Sequence, residues 1–283
     1  MPELPEVEVL VRHLAAVLPG RRIHAVTVRR PRSVRPSRPR ELAAALRGAV
    51  VLGVSRRAKY LIFKLMKGGK AFDLLGHLGM TGRMYLQSKR VEIPPHAVVA
   101  IDLNRDRWVF EDPRGFGRLT LETAPLDSLG PEPLASEFTA DDLSRRLHRS
   151  RQAVKIKLLD QKTVSGIGNI YASESLHRAG ISPRQAARSL TRRQVIRLHR
   201  SIREVLTEAI AFGSTVPLDW AGDGRDGLFY YGRSSGAADY YEERLAVYDR
   251  AGQPCRRCGA AIRQIVQAGR STFFCPDCQP RRQ

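Results

Sequence analysis

All four cysteines of this 283-residue chain, Cys255, Cys258, Cys275 and Cys278, lie in its last thirty residues. They form two Cys-x2-Cys pairs sixteen residues apart, a pattern that restricts the local fold more than any other feature. In a reducing compartment such pairs argue for metal rather than disulfides, and four thiolates in two knuckles suit one tetrahedral zinc. Protein fills every ligand position, which leaves none open for water, so the expected zinc is structural. Between the knuckles Ile262, Ile265 and Val266 are followed by Thr272, Phe273 and Phe274, as in a β-hairpin, with Arg270 at its tip. An arginine there is placed to grip phosphate, although a solvated turn residue has the same appearance.

Charge narrows the partner. Forty-eight Lys and Arg oppose twenty-eight Asp and Glu, a formal net charge of +20. The excess is spread over Arg29-Arg30, Arg56-Arg57, Arg145-Arg146, Arg192-Arg193 and Arg256-Arg257 rather than gathered in one tail. A polyanion, and nucleic acid in particular, is the expected partner. No apolar run is long enough to span a bilayer and no signal-peptide pattern opens the chain, so an intracellular protein without a membrane partner is expected.

The periodicity changes twice along the chain. Pro5 to Leu18 carries an apolar helical stripe that ends at Pro19-Gly20. Alternation then predicts strands at 23–29, 50–56, 60–66, 71–75, 83–87, 97–103 and 108–111, with a loop over 31–40 and a short helix over 41–47. Many short strands at this spacing suggest a sandwich or barrel. The proline-rich stretch from Ala124 to Leu134 reads as a linker, and helices are expected at 138–149, 152–160, 169–178 and 191–212. The glycine-rich stretch from Gly222 to Asp239, with Phe229-Tyr230-Tyr231, reads as a long loop.

Four segments carry candidate chemistry. If Met1 is removed, Pro2 presents a secondary amine beside the Glu3 carboxylate, a pair suited to covalent attack on a sugar carbon. The same residues equally suit a plain helix start, since proline and acids are both at home in a first turn. Gly166-Ile167-Gly168-Asn169 opens a helix and suits either phosphate binding or tight packing. Asp112-Pro113-Arg114-Gly115-Phe116-Gly117 offers an arginine and an aromatic on a turn, and His77-Leu78-Gly79-Met80-Thr81-Gly82 offers Met80 between glycines. Arginine can read a base edge and an apolar side chain can wedge between bases, whereas an isolated Met80 suits core filling. Taken singly, Lys59 suits an outward-facing strand position and His77 a satisfied core histidine.

Together with Arg57-Ala58-Lys59-Tyr60-Leu61, Leu129-Gly130-Pro131-Glu132-Pro133-Leu134 and Arg270-Ser271-Thr272-Phe273-Phe274, these segments resemble the formamidopyrimidine-DNA glycosylase branch of the Fpg/Nei family of base-excision repair enzymes. The likeness runs over nearly the whole chain. It implies an α+β multidomain fold: a β-sandwich with a helix over residues 1–123, a helix-two-turn-helix domain over 135–221 and a β-hairpin zinc finger over 245–283, with 222–244 as a lid-like loop. DNA would cross the cleft between the lobes. The implied enzyme is a cytoplasmic, nucleoid-associated monomer of bacterial type, acting on double-stranded DNA with oxidised bases or abasic sites. As a glycosylase and abasic-site lyase it would excise 8-oxoguanine and formamidopyrimidines.

The same resemblance assigns roles. Pro2 would attack C1′ of the damaged nucleotide, Glu3 would act as acid and base, Lys59 would polarise the lesion and Glu6 would orient it. Met80, Arg114 and Phe116 would fill the void left by the flipped nucleotide, with Arg114 facing the orphaned cytosine. His77, Lys155, Asn169 and Arg270 would clamp the backbone. Two departures stand out. Gly115 replaces the second arginine of the family's Asp-Pro-Arg-Arg-Phe-Gly turn, and the 222–239 loop is longer than usual. An endonuclease VIII-like pyrimidine glycosylase and a non-catalytic damaged-DNA binder are the alternatives. Leu4 and the Met80, Arg114, Phe116 set weigh against the first; Pro2, Glu3 and Lys59 weigh against the second.

Overall fold

The computed structural model describes residues 2–213 and 245–280. Met1 and the expected 222–239 loop lie outside them. The chain divides into two compact units, Met1–Asp127 with Phe212–Ala237, and Ser128–Ala211 with Ala238–Gln283.

In the first unit, α1 (Leu4–Val17) buries Val7, Leu10 and Leu14 along one face, the stripe that its periodicity predicts. Eight strands follow: β1 (Ile23–Val28), β2 (Val50–Arg57), β3 (Tyr60–Lys67), β4 (Lys70–His77), β5 (Arg83–Ser88), β6 (Ala97–Leu103), β7 (Asp106–Glu111) and β8 (Arg118–Thr120). The short helix α2 (Pro39–Leu46) lies between β1 and β2. Two antiparallel sheets result, ordered β1-β6-β7-β5 and β2-β3-β4-β8. Leu61, Phe63 and Leu74 from one meet Ile101, Trp108 and Phe110 from the other in a single core that α1 also enters. The Phe63 and Trp108 rings pack with centroids 4.5 Å apart. Each large apolar side chain so buried stabilises the unit by roughly 1.5–3 kcal/mol. This is the β-sandwich with a helix that the resemblance implies.

Three details differ from expectation. β8, only three residues long, is too short to show an alternating pattern. Part of the expected 31–40 loop is a 3-10 turn, Pro31–Val34. β4 continues to His77, so that residue ends a strand instead of opening a loop.

The second unit contains α3 (Ala140–His148), α4 (Val154–Leu159), α5 (Asn169–Ala179), all but the last two residues of α6 (Arg192–Gly213), and the hairpin β9 (Arg263–Gln267) and β10 (Arg270–Phe274). Thr139 caps α3 by accepting from the Asp142 amide at 3.1 Å. Gly180, at φ +66°, ends α5 in the left-handed conformation that glycine adopts without strain. Among the described residues no helix is long and apolar enough to cross a membrane.

Candidate active site and nucleic-acid interface

Pro2 and Glu3 are buried where α1 begins, Glu3 being only 2 % exposed. The Glu3 backbone N–H donates to Glu6 Oε2 at 2.7 Å, so a residue one turn into the helix fixes the peptide next to the candidate nucleophile. Farther along α1, Glu8 accepts from Arg56 Nε at 2.8 Å, and Arg56 Nη1 donates to the Ala58 carbonyl at 3.0 Å. Burial pushes the Glu8 carboxyl up, but hydrogen bonds and charge from Arg56 and Arg12 outweigh this and hold it below the usual range. The Glu8–Arg56 pair thus ties α1 to the β2–β3 turn. Ala58 in that turn takes φ +53°, and Lys59 beside it is 7 % exposed. Lys59 is therefore a buried cation rather than an outward-facing strand residue.

His77 lies across from this turn, paired in register with Tyr60, with ring centroids 4.8 Å apart. Its Nδ1 accepts from the Gly79 amide at 3.1 Å, which leaves Nε2 to carry the proton of the neutral ring. Burial first, then the charges of Lys59 and Arg118, push its pKa down to about 4. At neutral pH His77 is thus a neutral donor.

The two loops expected to carry void-filling side chains pack backbone against backbone. A Cβ on Gly79, which sits at φ +65°, would come within 2.6 Å of the Gly117 amide nitrogen, so only glycine permits the approach. Asp112, fully buried, binds both loops from within: Oδ1 accepts from Thr81 Oγ1 at 2.6 Å and the Arg114 amide at 3.2 Å, and Oδ2 accepts from the Gly117 amide at 2.6 Å. Met80 and Phe116 are left 37 % and 53 % exposed at the ends of the two loops. Arg114 stacks over the Phe116 ring at 5.2 Å.

In the second unit the four cysteine sulfurs lie within 4.8 Å of one another. Cys255 Sγ and Cys278 Sγ are 3.9 Å apart, and Cys258 Sγ and Cys275 Sγ 3.4 Å. A zinc with bonds of about 2.3 Å needs sulfurs spaced about 3.8 Å, so the donor set fits one structural zinc. Helix α5 meets this finger at three levels. Asn169 Nδ2 donates to the Ser271 carbonyl at 2.9 Å. Glu174 accepts from the amides of Ala246, Val247 and Tyr248 at 2.8, 2.9 and 2.8 Å. His177 Nε2 lies 3.5 Å from Cys255 Sγ. Burial raises the Glu174 carboxyl above the usual range, against the pull of those amides and of Arg178.

Lys155, expected in the phosphate clamp, packs against the hairpin of the finger. It is fully buried, and its ammonium donates to the Ser271 carbonyl and to Thr272 Oγ1, both at 2.8 Å. Arg270, at the start of β10 beside the Ala268-Gly269 turn, is exposed as its place at the hairpin tip implies.

The two units each assemble part of the expected set. Pro2, Glu3, Glu6, Lys59, His77, Met80, Arg114 and Phe116 belong to the first, and Lys155, Asn169, Arg270 and the four cysteines to the second. Asp112 and Glu174 stand inside recognisable motifs, but nothing in the sequence marks them as the residues that hold the loops and the finger. His177 carries no sequence signal at all.

Models of the formamidopyrimidine-DNA glycosylase N-terminal domain, its H2TH domain and a zinc finger found in Fpg and IleRS match residues 1–119, 129–218 and 252–281. The chain belongs to the formamidopyrimidine-DNA glycosylase family. The formamidopyrimidine-DNA glycosylase of Desulfitobacterium hafniense is 40% identical over 286 residues, covering 99% of this chain and 100% of the relative. Lactococcus lactis Fpg bound to DNA containing N7-benzyl-Fapy-dG superposes with a TM-score of 0.86 at 33% identity, covering 99% of this chain and 100% of that one. A MutM complex with carbocyclic 8-oxo-G DNA matches with the same score, identity and coverage.

Proposed function

We infer that this formamidopyrimidine-DNA glycosylase excises oxidised purines, 8-oxoguanine and formamidopyrimidines, from duplex DNA and then cleaves the strand as an abasic-site lyase. The observation that carries the reading is the buried Pro2–Glu3 pair with its backbone held by Glu6, in a chain related over its full length to enzymes of this name. Acting on chromosomal DNA, it works in the cytoplasm, at the nucleoid.

Removal of Met1 frees the Pro2 amine. Its lone pair attacks C1′ of the flipped nucleotide as the glycosidic bond breaks, and the base leaves with a proton. Glu3 protonates the ring oxygen, the sugar opens, and an iminium joins Pro2 nitrogen to C1′. That cation acidifies C2′–H. Loss of this proton expels the 3′ phosphate, and a second elimination expels the 5′ phosphate. Hydrolysis then returns the amine, leaving a one-nucleotide gap bounded by phosphates.

Lys59 adds positive charge beside the departing base, and Glu6 contributes by fixing Glu3 as well as by facing the lesion. Met80, Arg114 and Phe116 occupy the vacated stack, which gives the exposed apolar pair its partner. His77 Nε2–H and Arg270 bind phosphates. Lys155 and Asn169 serve the same clamp by holding the hairpin that carries Arg270. Zinc supplies structure to the finger and takes no part in the chemistry.

Borohydride trapping on duplex DNA containing 8-oxoguanine opposite cytosine tests the mechanism. A covalent complex is expected with the native chain and none with Pro2→Gly. Absence of a trapped complex on every oxidised base and on abasic sites would falsify the enzyme reading. N-terminal sequencing must also find proline first, since a retained Met1 makes the Pro2 nitrogen an amide.

A further inference from the structure

The Asp112–Gly117 turn lacks the second arginine that the family's motif carries, and Gly115 stands in its place. Gly115 takes φ +70°, and among the described residues the only heavy atom within 4 Å of a Cβ placed there is Arg30 Nη1, at 3.4 Å. Arg30 follows β1 and lies 82 residues before Asp112 in the chain. Its Nη1 donates to the Asp112 carbonyl at 2.6 Å and to the Pro113 carbonyl at 3.3 Å. Its Nη2 sits 3.3 Å from His96 Nδ1, and the His96 carbonyl accepts from the Asp112 amide at 3.0 Å.

We propose that Arg30 is a positioning residue that locks the turn bearing Arg114 and thereby sets the enzyme's discrimination of the base opposite the lesion. Two carbonyls that directly precede Arg114 are held by one planar guanidinium, which fixes the peptide planes from which the Arg114 side chain departs. Asp112 holds the same turn from its inner side, so it is braced on both faces. Arg114 then projects with its guanidinium already placed over Phe116. Cytosine offers two adjacent acceptors to such a guanidinium, whereas adenine presents a donor beside an acceptor. Discrimination therefore depends on where the guanidinium is held. A loosened turn lets it shift and tolerate adenine.

The inference rests on the reading that Arg114 meets the base opposite the lesion, and the experiment separates the two. Single-turnover excision of 8-oxoguanine is measured opposite cytosine and opposite adenine, with borohydride trapping on an abasic duplex as a reference. The full-length zinc-loaded protein is compared with Arg114→Ala, Arg30→Ala and Arg30→Lys. Arg30→Ala is expected to lower the cytosine-to-adenine rate ratio about tenfold, the effect of losing one charge-assisted brace, while abasic-site trapping stays within twofold. Arg30→Lys, able to reach one carbonyl, falls between.

If Arg114→Ala loses the ratio and both Arg30 variants keep it, the inference fails and the reading of Arg114 survives. If Arg114→Ala keeps the ratio, both fail. A uniform loss of all three activities in both Arg30 variants, with a lowered melting midpoint, marks a purely structural residue and also overturns the inference.

Discussion

Asp112→Asn changes almost no volume yet sets a carboxamide where every neighbour is a donor. In the native turn, Oδ2 accepts from the buried Gly117 amide, and Oδ1 accepts from Thr81 Oγ1 and the Arg114 amide. Placing the new NH2 at the Oδ2 position would set it against the Gly117 N–H. The cheaper orientation places NH2 at Oδ1, where the Thr81 hydroxyl can turn to accept. The Arg114 amide then keeps only its longer contact to Thr81 Oγ1, at 3.4 Å, and the Gly117 bond becomes neutral instead of charge-assisted. Charged hydrogen bonds contribute about 1.5–3 kcal/mol and neutral ones about half that, so the expected loss is about 2 kcal/mol. Asp112→Ala removes all three bonds and orphans a buried amide. It is expected to cost roughly twice as much, even after the relief of no longer burying a carboxylate. For a protein of this size the asparagine variant should melt about 4–8 °C lower. Urea denaturation and thermal melting give the stability, and excision opposite cytosine reports the loop. If Asp112→Ala melts within a degree of the native chain, the carboxylate does not hold the two loops and the argument for a preformed wedge is wrong.

Three further outcomes are expected. His77, pushed down to about 4, should show no titration between pH 8 and 5.5 by NMR. Because its folded pKa lies below the unfolded value of about 6.5, its contribution to stability is complete above 6.5 and disappears as the pH falls toward 4. A midpoint near 6.5 in the folded protein would contradict the burial argument. DNA affinity should fall steeply with salt, and Arg270→Ala should lower the slope of log affinity against log salt by about one; an unchanged slope would remove Arg270 from the phosphate contacts. In cobalt-substituted protein, His177→Phe should shift the thiolate-to-metal absorption and speed metal release to a chelator, while His177→Gln, which keeps a donor near the sulfur, should restore both. Identical spectra in all three proteins would leave the 3.5 Å contact without chemical consequence.

What the sequence disclosed follows from how local each signal is. A strand such as β3 showed because Leu61, Phe63 and Leu65 are buried in alternation along it, and the finger showed because four thiols at fixed spacing have few other uses. Asn169 was legible as the opening of a helix. The burial of Lys155 was not, since lysine is ordinarily exposed, and only the folded hairpin reveals acceptors waiting at Ser271 and Thr272. The role of Arg30 was invisible for a different reason: its partners lie 82 and 83 residues away, and no periodicity spans such a distance. Gly115 read as a loss in the sequence. In the structure it takes a positive φ, with the Arg30 guanidinium beside it.

The docking of α5 on the finger bears on how the two can evolve. Asn169 and His177 are eight residues apart, about 12 Å along the helix, and Glu174 lies between them. A finger exchanged with that of a relative would arrive with its own loop amides and its own surroundings for Cys255, and would meet a helix matched to neither. The helix and finger are therefore one inherited unit, and a change at position 177 has to be answered across the metal site. Loss of zinc should accordingly reach the start of α5 and the hairpin that Asn169 holds, rather than stop at the four cysteines.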